Sequence, residues 1–122
     1  MNKPFHMGDR LRSFRFALNG IAVLIKTQHN AWLHLLGTTI VLTMGFVFQV
    51  STLDWCLLVV AISQVWVAET MNTAVEYLAD AVTLDHHPLI GKAKDVAAGA
   101  VLLSAIGATV IGMLVFLPHI WF

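Results

Sequence analysis

The segment that determines the fold is Trp55–Asp80, WCLLVVAISQVWVAETMNTAVEYLAD. Trp55–Ala68 contains no charged side chain, and the rest of the segment carries Glu69, Glu76 and Asp80. A long apolar run is typical of a transmembrane helix, and carboxylates inside such a helix are costly and usually functional. The segment therefore predicts a membrane span with a functional site near one end.

The composition of the whole chain agrees with a membrane protein. Its 122 residues are 58% hydrophobic and 11% charged, with a mean hydropathy of +0.79. A soluble domain of this size keeps much of its surface in water, which seven basic and seven acidic residues do not cover. The single cysteine, Cys56, excludes an intramolecular disulfide and a multi-cysteine metal site. With a net charge of zero, nothing in the sequence points to nucleic-acid binding.

Three segments are long and apolar enough to cross a bilayer, at about residues 31–50, 55–78 and 96–118. We therefore predict an all-α integral membrane protein that forms one domain over residues 1–122. Every basic residue lies before the first span or between the second and third: Lys3, Arg10, Arg12, Arg15, Lys26, Lys92 and Lys94. The positive-inside rule places the amino terminus and the connection 79–95 in the cytoplasm.

The segment 8–26 has an amphipathic helical pattern of its own. An apolar stripe, with Leu11 and Leu18 among its members, runs beside a basic stripe that includes Arg12 and Arg15. The pattern predicts a helix in the membrane interface, with its basic side chains near lipid head groups. A role as a basic anchor and a direct role in substrate binding are both compatible with it.

The third span has a face of small residues, with Ala100, Ser104, Ala108 and Gly112 at intervals of four. Such a face lets helix backbones approach closely and indicates helix packing. It favours an oligomer, and a site shared between subunits would supply the concave volume that one small chain lacks.

In the second span, Glu69, Asn72, Glu76 and Asp80 are spaced by three, four and four residues, which places them on one helix face. A carboxylate in a span costs about 2.5–3.5 kcal/mol on insertion scales. If these residues served only to form hydrogen bonds between helices, neutral polar side chains would suffice. The presence of carboxylates therefore favours a role in catalysis or ligand binding.

Depth separates the roles of these acids. About 30 Å of hydrocarbon beginning near Trp55 ends after roughly 20 residues, so Glu69 lies beneath the interface. Glu76 lies about 10.5 Å further along the helix axis, at the head groups, and Asp80 reaches water. A desolvated Glu69 suits a general base for a weakly acidic hydroxyl. Glu76 and Asp80 suit a hydrated Mg²⁺ bound together with a nucleotide.

The connection 79–95 adds cations beside these acids, and a lysine there could offset charge on a transferring phosphoryl group. The phosphate-binding loop of soluble kinases is absent, because Gly91-Lys92-Ala93-Lys94 lacks both its leading glycine and its terminal hydroxyl residue. The adjacent pair His86-His87 does not form a zinc site, since neighbouring side chains seldom point the same way and no third nitrogen ligand is evident.

The motif E-x-x-N-[ST]-A-[IV]-E-x-x-x-D is matched by Glu69–Asp80, and Ala93-Lys94-Asp95 follows about fourteen residues later. In these residues, and over nearly the whole chain, the sequence resembles the prokaryotic diacylglycerol kinase family, which includes the undecaprenol kinases. The resemblance implies a homotrimer in which each chain has one surface helix and three transmembrane helices, with active sites shared between neighbours.

The implied activity is transfer of the γ-phosphate of ATP to diacylglycerol, which gives phosphatidic acid for phospholipid biosynthesis at the bacterial inner membrane. Undecaprenol, giving undecaprenyl phosphate, is the alternative substrate. Two functions of other classes are a noncatalytic membrane scaffold and an ion or proton conduit. A conduit requires acids through the full thickness of the membrane, whereas here they crowd toward one end of one span.

By resemblance, Glu69 is the catalytic base, Asn72 supports it, and Glu76 binds the Mg²⁺ of the nucleotide. The residues expected around the nucleotide are Glu76, Asp80, Asp85, His87, Lys94 and Asp95. The chain departs from the family at Gln28, where a glutamate often serves as the second metal ligand. Gln28 still offers a neutral oxygen but no charge. We therefore expect either weaker cation binding or a larger contribution from Asp80, Asp95 or the ATP phosphates. Trp32 similarly stands where an arginine is common.

Overall fold

A computed structural model describes residues 2–121, which form four α-helices and no strand. The helices are α1 (Met7–Thr27), α2 (His29–Val47), α3 (Thr52–Val82) and α4 (Pro88–Trp121). The prediction of an all-α chain is confirmed for these residues. Met1 and Phe122, the ends of the predicted single domain, lie outside them.

The helices α2, α3 and α4 are each long and apolar enough to cross a membrane, which confirms the three predicted spans by length and composition. Most of their large apolar side chains are exposed on the chain, Leu103 and Leu114 among them. Such apolar surfaces are stable when they face lipid or another apolar helix, because either one keeps the side chains out of water.

Two helices extend beyond the predicted spans. The second span continues to Val82, and the third begins at Pro88 instead of residue 96, so the predicted connection 79–95 shortens to residues 83–87. Lys94 therefore lies on the second turn of α4 and not in a loop. Apolar runs report only the part of a helix within hydrocarbon, while backbone hydrogen bonds carry the helix on into water. Proline also favours the first position of a helix, because its fixed φ matches helical geometry.

The far end of α4 is also longer than predicted. Pro118, the predicted end of the third span, lies inside the helix, which continues to Trp121.

Contacts along α3 and α4 show that these helices are antiparallel neighbours. At one end Lys94 of α4 binds Asp80 of α3, and near the middle Gln64 Nε2 donates to the carbonyl oxygen of Ser104 at 3.1 Å. At the other end Leu58 and Phe116 share one apolar cluster. This pairing brings the charged start of α4 against the acid-bearing end of α3.

The apolar cluster lies at the end of the bundle opposite the carboxylates. It contains the buried side chains of Val50, Leu58, Val115 and Phe116. A tight turn joins α2 to α3 here, and Ser51 Oγ accepts a hydrogen bond from the backbone N–H of Asp54 at 3.1 Å, which caps the start of α3.

The first helix contacts the bundle mainly near its carboxyl end. Leu24 is buried there, and Thr27 Oγ1 lies 3.1 Å from the hydroxyl of Tyr77 on α3. The apolar stripe that predicts an interfacial helix is exposed on the chain. Only Gln28 separates α1 from α2, in an extended conformation. This residue is thereby held close to the face of α3 that bears the acids.

A glycine in α2 permits the close approach of α2 to the start of α3. A Cβ atom built on Gly45 would lie 2.5 Å from Cη2 of Trp55, so the ring would have to move. We expect Gly45→Ala to lower the free energy of unfolding by about 1–3 kcal/mol through overpacking. Thermal unfolding in detergent measures this change.

Gly37→Ala is the matched control, since Gly37 lies in the same helix and a Cβ there meets nothing within 4 Å. Equal stability of the two variants would contradict the assigned Gly45–Trp55 contact.

Candidate active site

A polar pocket of about 290 Å³ opens beside the acid-bearing end of α3. The four α3 residues whose spacing predicts one helix face line it together, with two residues from the α1–α2 junction and Tyr77. The complete lining is Gln28, Asn30, Glu69, Asn72, Glu76, Tyr77 and Asp80. Oxygen atoms dominate these side chains, so the pocket suits a cation or a donor-rich ligand.

Glu69 lies at the deep side of the pocket. It is 1% exposed, and its Oε2 atom is 3.2 Å from His34 Nε2 on α2. His34 is not among the site residues predicted from the sequence. One signal was available, since His34 is the sole ionisable residue between Ala31 and Leu53. A titratable residue in a span is a functional candidate by default.

At the outer side of the pocket, Lys94 of α4 connects two carboxylates of α3. Its Nζ atom lies 2.7 Å from Asp80 Oδ1 and 3.4 Å from Glu76 Oε2. The Glu76 side chain is 41% exposed, in contrast with buried Glu69 two turns earlier. Ion pairs this exposed contribute little to stability. Their consequence is positional, because they place one cation beside two anionic oxygen donors.

Asn72 lies between the deep and outer acids and has an unsatisfied acceptor. Its Oδ1 atom is buried, with no hydrogen-bond partner among the described residues. Leaving a buried polar atom unpaired costs about 1–3 kcal/mol, so such atoms usually have a partner in the working state. Because Asn72 lines the pocket, a ligand there could supply the donor or cation that this oxygen lacks.

The pocket fits a hard divalent cation bound together with phosphates. Within residues 2–121, no group of three or more His, Cys, Asp and Glu side chains converges as a metal cage. Mg²⁺ rarely uses such a cage and is instead held by one or two carboxylates, waters and substrate phosphates. Glu76 and Asp80 supply carboxylates, and Gln28 and Asn72 supply neutral oxygens in the same pocket.

Four predicted site residues do not line this pocket: Lys94, which reaches it through its ion pairs with Asp80 and Glu76, and Asp85, His87 and Asp95. Asp85 and His87 are exposed on the 83–87 connection. Their hydrogen bonds are with residues two positions away in the chain. The Asp85 N–H donates to Thr83 Oγ1 at 3.0 Å, and the Leu89 N–H donates to His87 Nδ1 at 3.2 Å. Asp95 is exposed on α4, next to Lys94.

An apolar groove of about 280 Å³ runs between α2, α3 and α4. His34 borders it at one end, and Leu58 and Phe116 border it toward the apolar cluster. The small-residue face of α4 contributes Ala108 and Gly112 to its wall. His34 therefore lies between an apolar groove and the buried carboxylate of the polar pocket.

Comparison with known proteins identifies the family. Residues 15–116 match the model of the prokaryotic diacylglycerol kinases, which confirms the resemblance found in the sequence. The chain is 38% identical over 109 residues to the undecaprenol kinase of Bacillus subtilis, with 89% of each chain covered. It is 36% identical over 109 residues to a diacylglycerol kinase of Synechocystis, covering 88% of this chain and 62% of the relative. To the diacylglycerol kinase of Escherichia coli it is 28% identical over 104 residues, covering 85% and 73%.

The contrast in burial between the acids predicts a contrast in chemical labelling. A water-soluble carbodiimide with a small amine should modify Asp80 and Glu76 in the protein in detergent and leave Glu69 unmodified. The reason is that Glu69 is 1% exposed. Proteolysis followed by mass spectrometry measures the extent of labelling at each residue.

Glu69→Gln serves as the control, because removing a protected carboxylate should leave the labelling pattern unchanged. Modification of Glu69 as fast as that of Asp80 would show that this side chain is open to water, contrary to the structure.

Proposed function

This chain belongs to the prokaryotic diacylglycerol kinase family, and on that premise we propose that it transfers the γ-phosphate of ATP to diacylglycerol, giving phosphatidic acid. Its relatives are named as kinases, so it is a lipid kinase with ATP as phosphoryl donor. This assignment favours an enzyme over a scaffold or a conduit.

The observation that carries the proposal is the gradient of burial along one face of α3. Glu69 is 1% exposed, whereas the Glu76 side chain, two turns away, is 41% exposed. A lipid kinase must bring an apolar alcohol together with a highly charged nucleotide. A pocket with a desolvated carboxylate at one side and hydrated charged groups at the other is suited to that meeting.

At the deep side, Glu69 acts as general base. The lipid hydroxyl loses its proton to the carboxylate, and its oxygen forms a bond to the γ-phosphorus as the bond to the β-phosphate oxygen breaks and ADP leaves. Asn72, one turn further along, supports the site through its unpaired Oδ1 atom.

At the outer side, we assign Glu76 and Gln28 as ligands of Mg²⁺ and Lys94 as a phosphate contact. The ion, when bound with ATP, would offset charge on the phosphate oxygens. Asp80 orients Lys94 through the 2.7 Å ion pair. Asp85, His87 and Asp95 are assigned to the surroundings of the nucleotide, on the connection and the first turns of α4 that lie beside Lys94.

We further propose a homotrimer in the bacterial inner membrane with its amino terminus in the cytoplasm. The Thr27–Tyr77 and Lys94–Asp80 contacts support this orientation, because they bring the end of α1 and the start of α4 to the same end of α3. Their basic residues Lys26, Lys92 and Lys94 then share one side of the membrane. In this arrangement α1 is the interfacial helix, and the exposed apolar faces of the spans supply the surface for assembly.

Undecaprenol is the second candidate substrate, and one specific observation favours it. The Bacillus subtilis relative, which shares 38% identity over 89% of both chains, is named an undecaprenol kinase. Both alcohols present a hydroxyl at the end of a large hydrocarbon body. The same general base and nucleotide pocket would serve either one.

The proposal is tested with the purified protein in mixed micelles, with ATP and Mg²⁺ and with each alcohol in turn. We expect phosphatidic acid from diacylglycerol, and we expect Glu69→Gln to lower kcat by about 10²–10⁴-fold, the usual contribution of a general base. Asp54→Asn is the matched control, since Asp54 is an acid at the opposite end of α3 and should be dispensable.

Failure of the wild-type protein to phosphorylate either alcohol would refute the proposed function. A kcat/KM at least tenfold higher for undecaprenol would assign the second candidate as the substrate. Full activity of Glu69→Gln would remove Glu69 from its role as base.

A second prediction concerns the metal. Gln28→Glu adds a negative charge beside Glu76, so we expect the Mg²⁺ concentration for half-maximal activity to fall by roughly tenfold, which corresponds to ~1.4 kcal/mol. Gln49→Glu, in the turn between α2 and α3 at the opposite end of the bundle, controls for the added charge and should leave this concentration unchanged. An unchanged or weaker Mg²⁺ affinity in Gln28→Glu would exclude Gln28 as a ligand.

A further inference from the structure

The contact between His34 and Glu69 takes no part in the proposed phosphoryl transfer as an acid, a base or a ligand. His34 lies on α2, and its side chain is 18% exposed at the boundary between the apolar groove and the polar pocket. Its Nε2 atom is 3.2 Å from Glu69 Oε2, and Glu69 is buried. A histidine in an apolar helix that meets a buried carboxylate is rarely incidental, because both groups are costly to remove from water.

His34 is the side-chain partner of Glu69 within the described part of the chain. Lys94 forms ion pairs with Glu76 and Asp80 and not with Glu69. The other acids of the pocket, Glu76 and Asp80, carry the same charge as Glu69 and provide no donor to it. The contact with His34 is therefore the side-chain hydrogen bond that holds the Glu69 carboxylate in place among the described residues.

The histidine ring is itself held in place. It meets Trp66 edge-on, with the ring centroids 6.1 Å apart. The Trp66 Nε1–H donates to Thr38 Oγ1 at 2.9 Å, and Thr38 lies one turn from His34 on the same helix. Because Trp66 is itself held by Thr38, it limits rotation of the His34 ring and keeps Nε2 directed at the Glu69 carboxylate. Residues that orient catalytic groups are commonly held by packing and hydrogen bonds in this way.

We propose that His34 is a positioning residue for phosphoryl transfer, whose Nε2–H holds Oε2 of Glu69 so that Oε1 receives the proton of the lipid hydroxyl. This inference rests on the proposed function of Glu69 as base. In the reaction, the hydroxyl O–H bond breaks and its proton goes to Oε1. The oxygen electron pair forms the bond to the γ-phosphorus, ADP leaves, and His34 keeps its own proton.

The surroundings of Glu69 explain why its two carboxylate oxygens have different roles. Oε2 faces α2 and its histidine, whereas Glu69 also lines the polar pocket, where the hydroxyl must meet the nucleotide. A carboxylate free to rotate would present either oxygen in a range of directions. Fixing one oxygen removes that freedom before the substrate binds, which lowers the entropy cost of reaching the reactive geometry.

The test compares His34→Leu with His34→Gln in the purified protein. Leucine fills the space without a donor, and the glutamine amide can place an N–H near the position of Nε2. We expect His34→Leu to lower kcat by about 10–100-fold, the range typical of outer partners of catalytic groups, with KM for ATP and lipid within about twofold. We expect His34→Gln to recover activity to within about fivefold of the wild type.

His119→Gln is the matched control, because His119 lies on a membrane helix at the other end of the bundle, where its Nδ1 atom is 2.9 Å from the carbonyl oxygen of Val115. Its kcat should equal that of the wild type. A purely structural role for His34 would lower the amount of folded protein without this selective loss of kcat and without rescue by glutamine.

Wild-type kcat in folded His34→Leu would overturn the proposal, as would a folded His34→Gln no more active than the leucine variant. If His34→Leu does not fold, the wild-type protein can be tested directly through the protonation of the His34 ring. Nitrogen NMR of histidine-labelled protein should show Nε2 of His34 protonated at rest, with His34→Gln used to assign the resonance. An unprotonated Nε2 would refute the assigned donor.

The two proposals fail in different ways. If wild-type protein phosphorylates no lipid, the proposed function is wrong, whatever the state of His34. If the wild type is active and His34→Leu is equally active, the kinase assignment stands and the positioning role is wrong.

Discussion

A carboxylate placed within an apolar helix must be shielded from water and yet be stabilised, and the arrangement around Glu69 meets both demands. Burial among α2 and α3 removes it from solvent, and the 3.2 Å contact with His34 gives it one polar partner. A buried carboxylate without any polar partner would carry the full cost of leaving water. The imidazole contact offsets part of that cost.

The order of the helices then places charge where a nucleotide can reach it. Because α3 and α4 are antiparallel and joined by residues 83–87, the first turns of α4 lie beside the last turns of α3. Lys94 thereby meets Asp80 and Glu76, although it lies fourteen residues after the former in the chain. The apolar cluster around Leu58 and Phe116 closes the opposite end and holds the same pair of helices together.

This division of the bundle suits a kinase that acts on lipids. One end is packed and apolar, and the other carries a polar pocket beside a groove that runs into the membrane-spanning region. His34 borders both the groove and the environment of Glu69. An alcohol with its hydrocarbon in the membrane and its hydroxyl near Glu69 would meet a donor bound at Glu76 and Lys94 within two helical turns. The proposed chemistry therefore depends on the short distance between the apolar groove and the polar pocket.

Features that depend on local chemistry are evident in the amino-acid sequence alone. Apolar length predicts three spans, and helical periodicity places Glu69, Asn72, Glu76 and Asp80 on one face, because both follow from the geometry of a single helix. The helices α3 and α4 continue past the predicted spans, because hydropathy does not report a helix that extends into water.

Which helices contact one another is evident only from the folded chain. The His34–Glu69 and Lys94–Asp80 contacts join residues that are distant in sequence, and periodicity within one helix carries no information about the rotation or depth of its neighbour. The position of Gln28 at the pocket likewise depends on how α1 and α2 pack against α3. Those relations are set by side-chain packing across helices, which emerges only when the whole bundle is assembled.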